Sequence, residues 1–148
     1  MTPPRDGGNA TAPDATPGSG TGAKRILLVE DDRFQRTAVE AALRQQGFDV
    51  TIAVDGEEAL RLLAEAALPD LVLLDLIMPK MSGFEVLRRL KQDPGSSHTP
   101  VVVLSNLGQK GDVEQAMQAG ATAYLVKAKV TLRELVERVK AALTEGQG

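Results

Sequence analysis

Leu71-Val72-Leu73-Leu74-Asp75-Leu76-Ile77-Met78-Pro79-Lys80-Met81-Ser82-Gly83 is the stretch that decides the fold. It begins with an unbroken apolar run, Leu71 to Leu74, rather than with alternating residues. A short run of that kind, closed by turn formers, reads as a strand buried on both faces, as in a parallel sheet. The run ends in the carboxylate of Asp75, and the chain then breaks at Pro79 and Gly83. Asp75 is thereby delivered to the carboxyl edge of the sheet, where open α/β sheets place their chemistry. A second apolar run, Ile26-Leu27-Leu28-Val29, ends in Glu30-Asp31-Asp32. Two strands that both terminate in acid imply a shared acidic pocket. Such a pocket repels itself unless a cation is bound or the carboxyl pKa values rise.

Outward from these runs, strand and helix patterns alternate from Lys24 onward. The strands are expected at Arg25–Glu30, Phe48–Ala53, Asp70–Asp75, Pro100–Ser105 and Ala121–Lys127. Three helix starts carry capping-box spacing: Asp55 with Glu58, Ser82 with Glu85, and Thr131 with Glu134. Core-facing stripes at helical spacing run through Ala59, Leu62, Leu63 and Ala66, and through Leu132, Leu135, Val136 and Val139. Gly47 and Gly120 sit where helices should stop. A repeated βα unit predicts a doubly wound (βα)5 α/β domain of flavodoxin-like type, over residues 24–146. Its parallel sheet is expected in the order 2-1-3-4-5, with helices on both faces.

In that order the first and third strands are neighbours at the switch point, so Asp31, Asp32 and Asp75 are expected to converge. Oxygen-only sites of this kind suit Mg²⁺. One of Asp31 and Asp32 could instead cap the following helix; that all three acids serve only structure is a poor explanation. The fourth strand ends in Ser105 and the fifth in Lys127. A hydroxyl and an ammonium thus join the acids at one edge, and Lys127 can pair with Asp75 or with a phosphoryl oxygen.

Composition narrows the class. The chain has 148 residues, 43% apolar and 25% charged, enough for one domain with a real core. A net charge of -3 gives no electrostatic case for nucleic acid. The absence of Cys rules out thiolate chemistry and fits a cytoplasmic location. No apolar stretch approaches the ~20 residues that span a bilayer. Residues 1–23 are rich in Pro, Gly, Thr and Ala and are expected to form a flexible tail. His98 lies in a polar loop with no second His to join, and Lys110, Lys129 and Arg133 are expected on a solvated rim.

From about Lys24 to Leu143 the chain resembles the receiver domain of two-component response regulators. The resemblance is carried by Glu30-Asp31-Asp32, Asp75 through Gly83, Leu104-Ser105, Gly120-Ala121 and Tyr124-Leu125-Val126-Lys127. It implies that Asp75 accepts a phosphoryl group from a sensor histidine kinase or a histidine phosphotransfer protein. Mg²⁺ would be held by Asp75, directly by Asp32, through water by Asp31, and by the backbone carbonyl of Ile77. Ser105 and Lys127 would bind phosphoryl oxygens, and Ser105 with Tyr124 would form the switch that remodels a surface for a downstream effector protein. The domain would be a phosphoacceptor rather than a turnover enzyme, cytoplasmic, with no membrane or direct nucleic-acid partner. Because the flanking segments are short, it is expected to act without an output module of its own.

The chain departs from the family pattern at Ala128 and Asn106. Ala128 replaces the Pro that usually follows the lysine through a cis bond. A cis non-proline bond costs about 2.5–4 kcal/mol, so either that strain or a rearranged loop is expected. Asn106 is larger than the usual residue and should narrow access for small phosphodonors. Ile77 and Leu107, at the positions that tune dephosphorylation, cannot orient water, so a long-lived phosphoryl group is expected. Two other classes compete. A pseudo-receiver acting as a constitutive scaffold would draw on Asn106 and Ala128. An Asp-nucleophile phosphatase would need an acid where Ile77 stands. A dinucleotide-binding domain fails, because Glu30-Asp31-Asp32 replaces the Gly-rich turn.

Overall fold

The computed structural model describes residues 22–65 and 67–147. The expected tail therefore lies outside the described residues up to position 21, as does Ala66 of the second helix's stripe. In chain order the elements are β1 (Arg25–Val29), α1 (Arg33–Gln45), β2 (Asp49–Ala53), α2 (Gly56–Glu65) and β3 (Leu71–Leu74). They continue with α3 (Gly83–Gln92), β4 (Val101–Ser105), α4 (Lys110–Gln118), β5 (Ala123–Val126) and α5 (Leu132–Gln147). The strands form one sheet in the order β2-β1-β3-β4-β5, and every pairing is parallel.

The apolar runs are continuous because both faces of the central strands are covered. Ile26 and Leu28 of β1, Leu71 and Leu73 of β3, and Val102 and Leu104 of β4 enter one core, closed by Val39 and Leu43 of α1 and Leu135, Val136 and Val139 of α5. The alternate residues, Leu27, Val29, Val72, Leu74, Val101 and Val103, enter a second core. Ala59 of α2, Val86, Leu87 and Leu90 of α3 and Ala116 of α4 close it. Burying one such Leu or Val contributes about 1.5–3 kcal/mol. A one-residue slip would exchange every side chain between the two cores and carry Asp75 off its place beside Glu30.

The helix starts bear out the expected caps to different degrees. Thr131 and Glu134 bond reciprocally, each side chain accepting from the other's amide, at 3.0 and 2.8 Å. Asp55 accepts from the Glu58 amide at 2.8 Å, but the Glu58 carboxylate turns to the Val54 amide. Ser82 makes a long cap to the Glu85 amide at 3.4 Å. The Glu85 carboxylate does not return to Ser82, because Arg88 and Arg89 take it. Those guanidiniums hold its pKa down to about 2.

Gly47 and Gly120 do end helices, with φ of +89° and +111°. The expected α5 stripe is displaced at its start. Leu132 is 44% exposed, and the buried face begins at Leu135, one turn in. The fifth strand is also shorter than expected: it stops at Val126, and Lys127–Lys129 form a 3₁₀ turn. No peptide bond among the described residues is cis, so Lys127–Ala128 is trans and the loop is the element that adjusts.

Candidate functional site

The sheet register builds the site. Val29 pairs with Leu74, so the residues that follow them, Glu30 and Asp75, come level on adjacent strands. Backbone bonds extend the ladder through both: Glu30 N–H donates to Ala53 O at 3.0 Å, and Asp75 N–H donates to Val29 O at 3.1 Å. Carboxylate oxygens of Glu30, Asp31 and Asp75 all lie within 4.8 Å of one another. Glu30 and Asp75 are buried and Asp31 is exposed, so the cluster opens to solvent on one side.

Lys127 completes the group from the end of β5. Its ammonium donates to Glu30 Oε1 at 2.7 Å and to Asp75 Oδ2 at 3.0 Å. The other Asp75 oxygen accepts from the Ile77 amide at 3.1 Å, and Glu30 Oε2 accepts from the Asp32 amide at 3.1 Å. Burial raises the Glu30 carboxyl pKa, and the Asp75 charge adds to this. The bonds from Lys127 and the Asp32 amide offset only part of the rise. For Lys127 burial lowers the pKa, but bonds to Glu30 and Asp75 and their charges outweigh it and raise the net value. Lys127 therefore stays a cation between the two buried carboxylates.

This arrangement corrects the expected acidic set. Asp32, expected to bind metal directly, instead caps α1: its Oδ1 accepts from the Gln35 amide at 3.1 Å. It stands outside the acidic group, and Glu30 takes the third place. The reason is positional. α1 begins at Arg33, which makes Asp32 its N-cap, where an Asp satisfies an orphan amide. Glu30 was not foreseen as a site residue, although the signal was present. Aligning β1 and β3 on their last apolar residues sets Glu30 beside Asp75.

Ser105 is fully buried at the end of β4. Its Oγ accepts from the Leu107 amide at 3.3 Å, while the Tyr124 hydroxyl donates to the Leu107 carbonyl. One residue of the β4–α4 loop is thus held by both expected switch residues. Burial raises the Tyr124 phenol pKa, and the charges of Asp112 and Asp75 add to it. Leu107 is half-buried against the second core, Ile77 is 54% exposed, and Asn106 is exposed. His98, Lys110, Lys129 and Arg133 are exposed, as expected.

Oxygen donors alone, two of them buried and one open to solvent, fit a hard divalent cation such as Mg²⁺. A buried carboxylate and a buried hydroxyl stand with the Lys127 ammonium at one sheet edge, where open α/β sheets place their ligands.

The family model described as the response regulator receiver domain matches residues 26–140. The chain belongs to this family. Among curated receiver-containing relatives, the response regulator PleD of Caulobacter vibrioides is 43% identical over 70% of this chain and 22% of its own length. The transcriptional regulatory protein CpxR of Escherichia coli is 41% identical over 80% of this chain and 49% of its own. This chain thus spans between about a fifth and about half of those proteins. A solved receiver domain from a Pseudomonas aeruginosa sensor histidine kinase, with magnesium coordinated in its active site cleft, superposes with a TM-score of 0.74. It is 32% identical and covers 82% of this chain and 98% of that one. No helix among the described residues is long and apolar enough to cross a membrane.

Proposed function

We propose that this receiver domain accepts a phosphoryl group on Asp75 from a phosphohistidine of a sensor histidine kinase or a histidine phosphotransfer protein. The observation that carries the reading is the Lys127–Asp75 contact inside the acidic group formed with Glu30 and Asp31. A carboxylate oxygen of Asp75 attacks phosphorus and the P–N bond breaks. The nitrogen keeps the bonding pair and returns as neutral imidazole once protonated. The product is a mixed carboxylic–phosphoric anhydride.

Asp31, Asp75 and Glu30 would hold Mg²⁺, with the Ile77 carbonyl as a further donor. When bound, the ion offsets the repulsion between carboxylate and incoming phosphoryl. The chain's own groups do the rest. Lys127 is placed to pair with a phosphoryl oxygen when Asp75 Oδ2 becomes an ester-like oxygen and loses its charge. Ser105 reaches a second oxygen by giving up the Leu107 amide. That movement acts on the segment that Tyr124 also holds, and the added charge biases the surface around α4 and β5. The altered surface is the output, read by a downstream effector protein.

The domain is a stoichiometric acceptor rather than a turnover catalyst, and it works in the cytoplasm with no direct nucleic-acid contact. The intact Lys127–Asp75 pair favours this reading over a constitutive scaffold. Mass measurement after incubation with a small phosphodonor and Mg²⁺ tests it, with an adduct on the native chain and none on Asp75→Asn as the expected result.

A further inference from the structure

The acidic group has to be assembled against its own repulsion, and its members are held unequally. Asp75 is fixed by Lys127 and the Ile77 amide, and Glu30 by Lys127 and the Asp32 amide. Asp31 is exposed at the rim, in the turn between β1 and α1. That turn has a brace of its own. Arg36, in the first turn of α1, reaches back so that Nη1 donates to the backbone carbonyls of both Glu30 and Asp31, each at 3.2 Å. Its amide bonds the Asp32 carbonyl at 2.9 Å, so one residue starts the helix and closes the acidic turn. Beside three carboxylates, a guanidinium gains most by pairing with a carboxylate. Here it is directed at main-chain oxygens, which fixes the path of the turn without occupying a carboxylate oxygen of the group.

We infer that Arg36 is a positioning residue that preorganises Glu30 and Asp31 for a divalent cation, an inference that rests on the Mg²⁺-dependent reading of the site. Two effects of Arg36 oppose each other. Its positive charge repels a dication, but Arg36 is half-exposed beside the solvent-facing Asp31, where water and salt screen that repulsion to about a few-fold in affinity. Groups that orient metal ligands from behind are worth about 10- to 100-fold in metal affinity. Orientation therefore outweighs repulsion, and removing Arg36 weakens binding. Pure charge repulsion predicts the opposite sign.

The test is a Mg²⁺ titration of native protein, Arg36→Gln and Arg36→Lys, followed by amide chemical shifts at constant ionic strength, with metal-free spectra checking the fold. Arg36→Gln is expected to raise the Mg²⁺ Kd about 10-fold. Arg36→Lys, which keeps the charge with a shorter reach, is expected to fall between Gln and native. With acetyl phosphate as donor, the loss in Arg36→Gln should appear in the half-saturating Mg²⁺ concentration. The labelling rate at saturating Mg²⁺ should stay within about two-fold of native, a split that general loosening of the fold would not produce. Unchanged or tighter binding by Arg36→Gln overturns the inference. If Arg36→Gln does not fold, Arg36→Lys decides: weaker Mg²⁺ binding supports the role of Arg36, and native-like binding overturns it. Native protein that binds no Mg²⁺ overturns both the metal reading and this role, whereas native binding with unaltered variants overturns the role alone.

Discussion

Gly83 packs directly on the backbone of Asp75. A Cβ built on Gly83 would stand 2.1 Å from the Asp75 carbonyl oxygen and 2.6 Å from the Leu76 Cα. The neighbours are main chain rather than flexible side chain, so no rotamer change relieves the clash. The Gly83 amide also donates to the Leu76 carbonyl at 2.9 Å, which ties the start of α3 to the end of β3. Gly83→Ala is therefore expected to cost at least about 2 kcal/mol through overpacking. It should also slow labelling of Asp75. Denaturant titration gives the first quantity and labelling rate the second; native values for both would contradict the close approach.

Lys127 is shared by two buried carboxylates, so its removal leaves them facing each other without that counter-charge. Breaking a buried pair from one side costs about 3–5 kcal/mol. Lys127→Met is expected to lose about 3 kcal/mol in metal-free buffer, and millimolar Mg²⁺ should recover part of it. Equal losses with and without Mg²⁺ would mean that cation and ammonium do not act on the same carboxylates.

The raised Glu30 pKa gives stability a pH dependence of definite sign. Between the unfolded and the higher folded pKa the native state binds the extra proton, so stability falls as pH rises through that window. Below the unfolded value, about 4.3 for Glu, both states are protonated and the full stability is retained. Glu30→Gln should remove this component. In Mg²⁺-free buffer the variant is expected to gain on the native chain as pH rises from about 4 through the folded Glu30 pKa. A native-minus-variant difference that is flat with pH would refute the assignment.

Neither Ile77 nor Leu107 offers a polar group that could orient an attacking water. The phosphorylated domain is therefore expected to persist, with Ile77→Asn or Leu107→Asn shortening its lifetime several-fold in Mg²⁺. Decay of the phosphorylated mass over time measures this. Rapid loss from the native chain, unmoved by either substitution, would count against it.

Most of the fold was legible because buried parallel strands leave a plain mark. Leu71–Leu74, Ile26–Val29 and Val101–Leu104 are unbroken apolar runs, each of which divides its residues between two cores. Asp75, Ser105 and Lys127 were legible for a related reason: each stands at or just past the end of such a run. The acidic turn was harder. Glu30-Asp31-Asp32 offers two overlapping acidic pairs, and the choice depends on where α1 begins. Asp32 serves the helix rather than the site because Arg33 is the first helical residue. The Lys127–Ala128 geometry also lay beyond sequence reading, since a strained cis bond and a rearranged trans loop both satisfy the same residues. Leu132 fits its helical stripe by spacing but stands in the opening turn of α5, ahead of the buried face.

The most direct test of the central claim is the intact mass of the native chain after incubation with acetyl phosphate and Mg²⁺, beside Asp75→Asn. The account predicts one phosphoryl adduct on the native chain, absent from the variant and absent when Mg²⁺ is chelated. An adduct of equal size on Asp75→Asn, or none on the native chain even with a phosphorylated histidine donor, would contradict it.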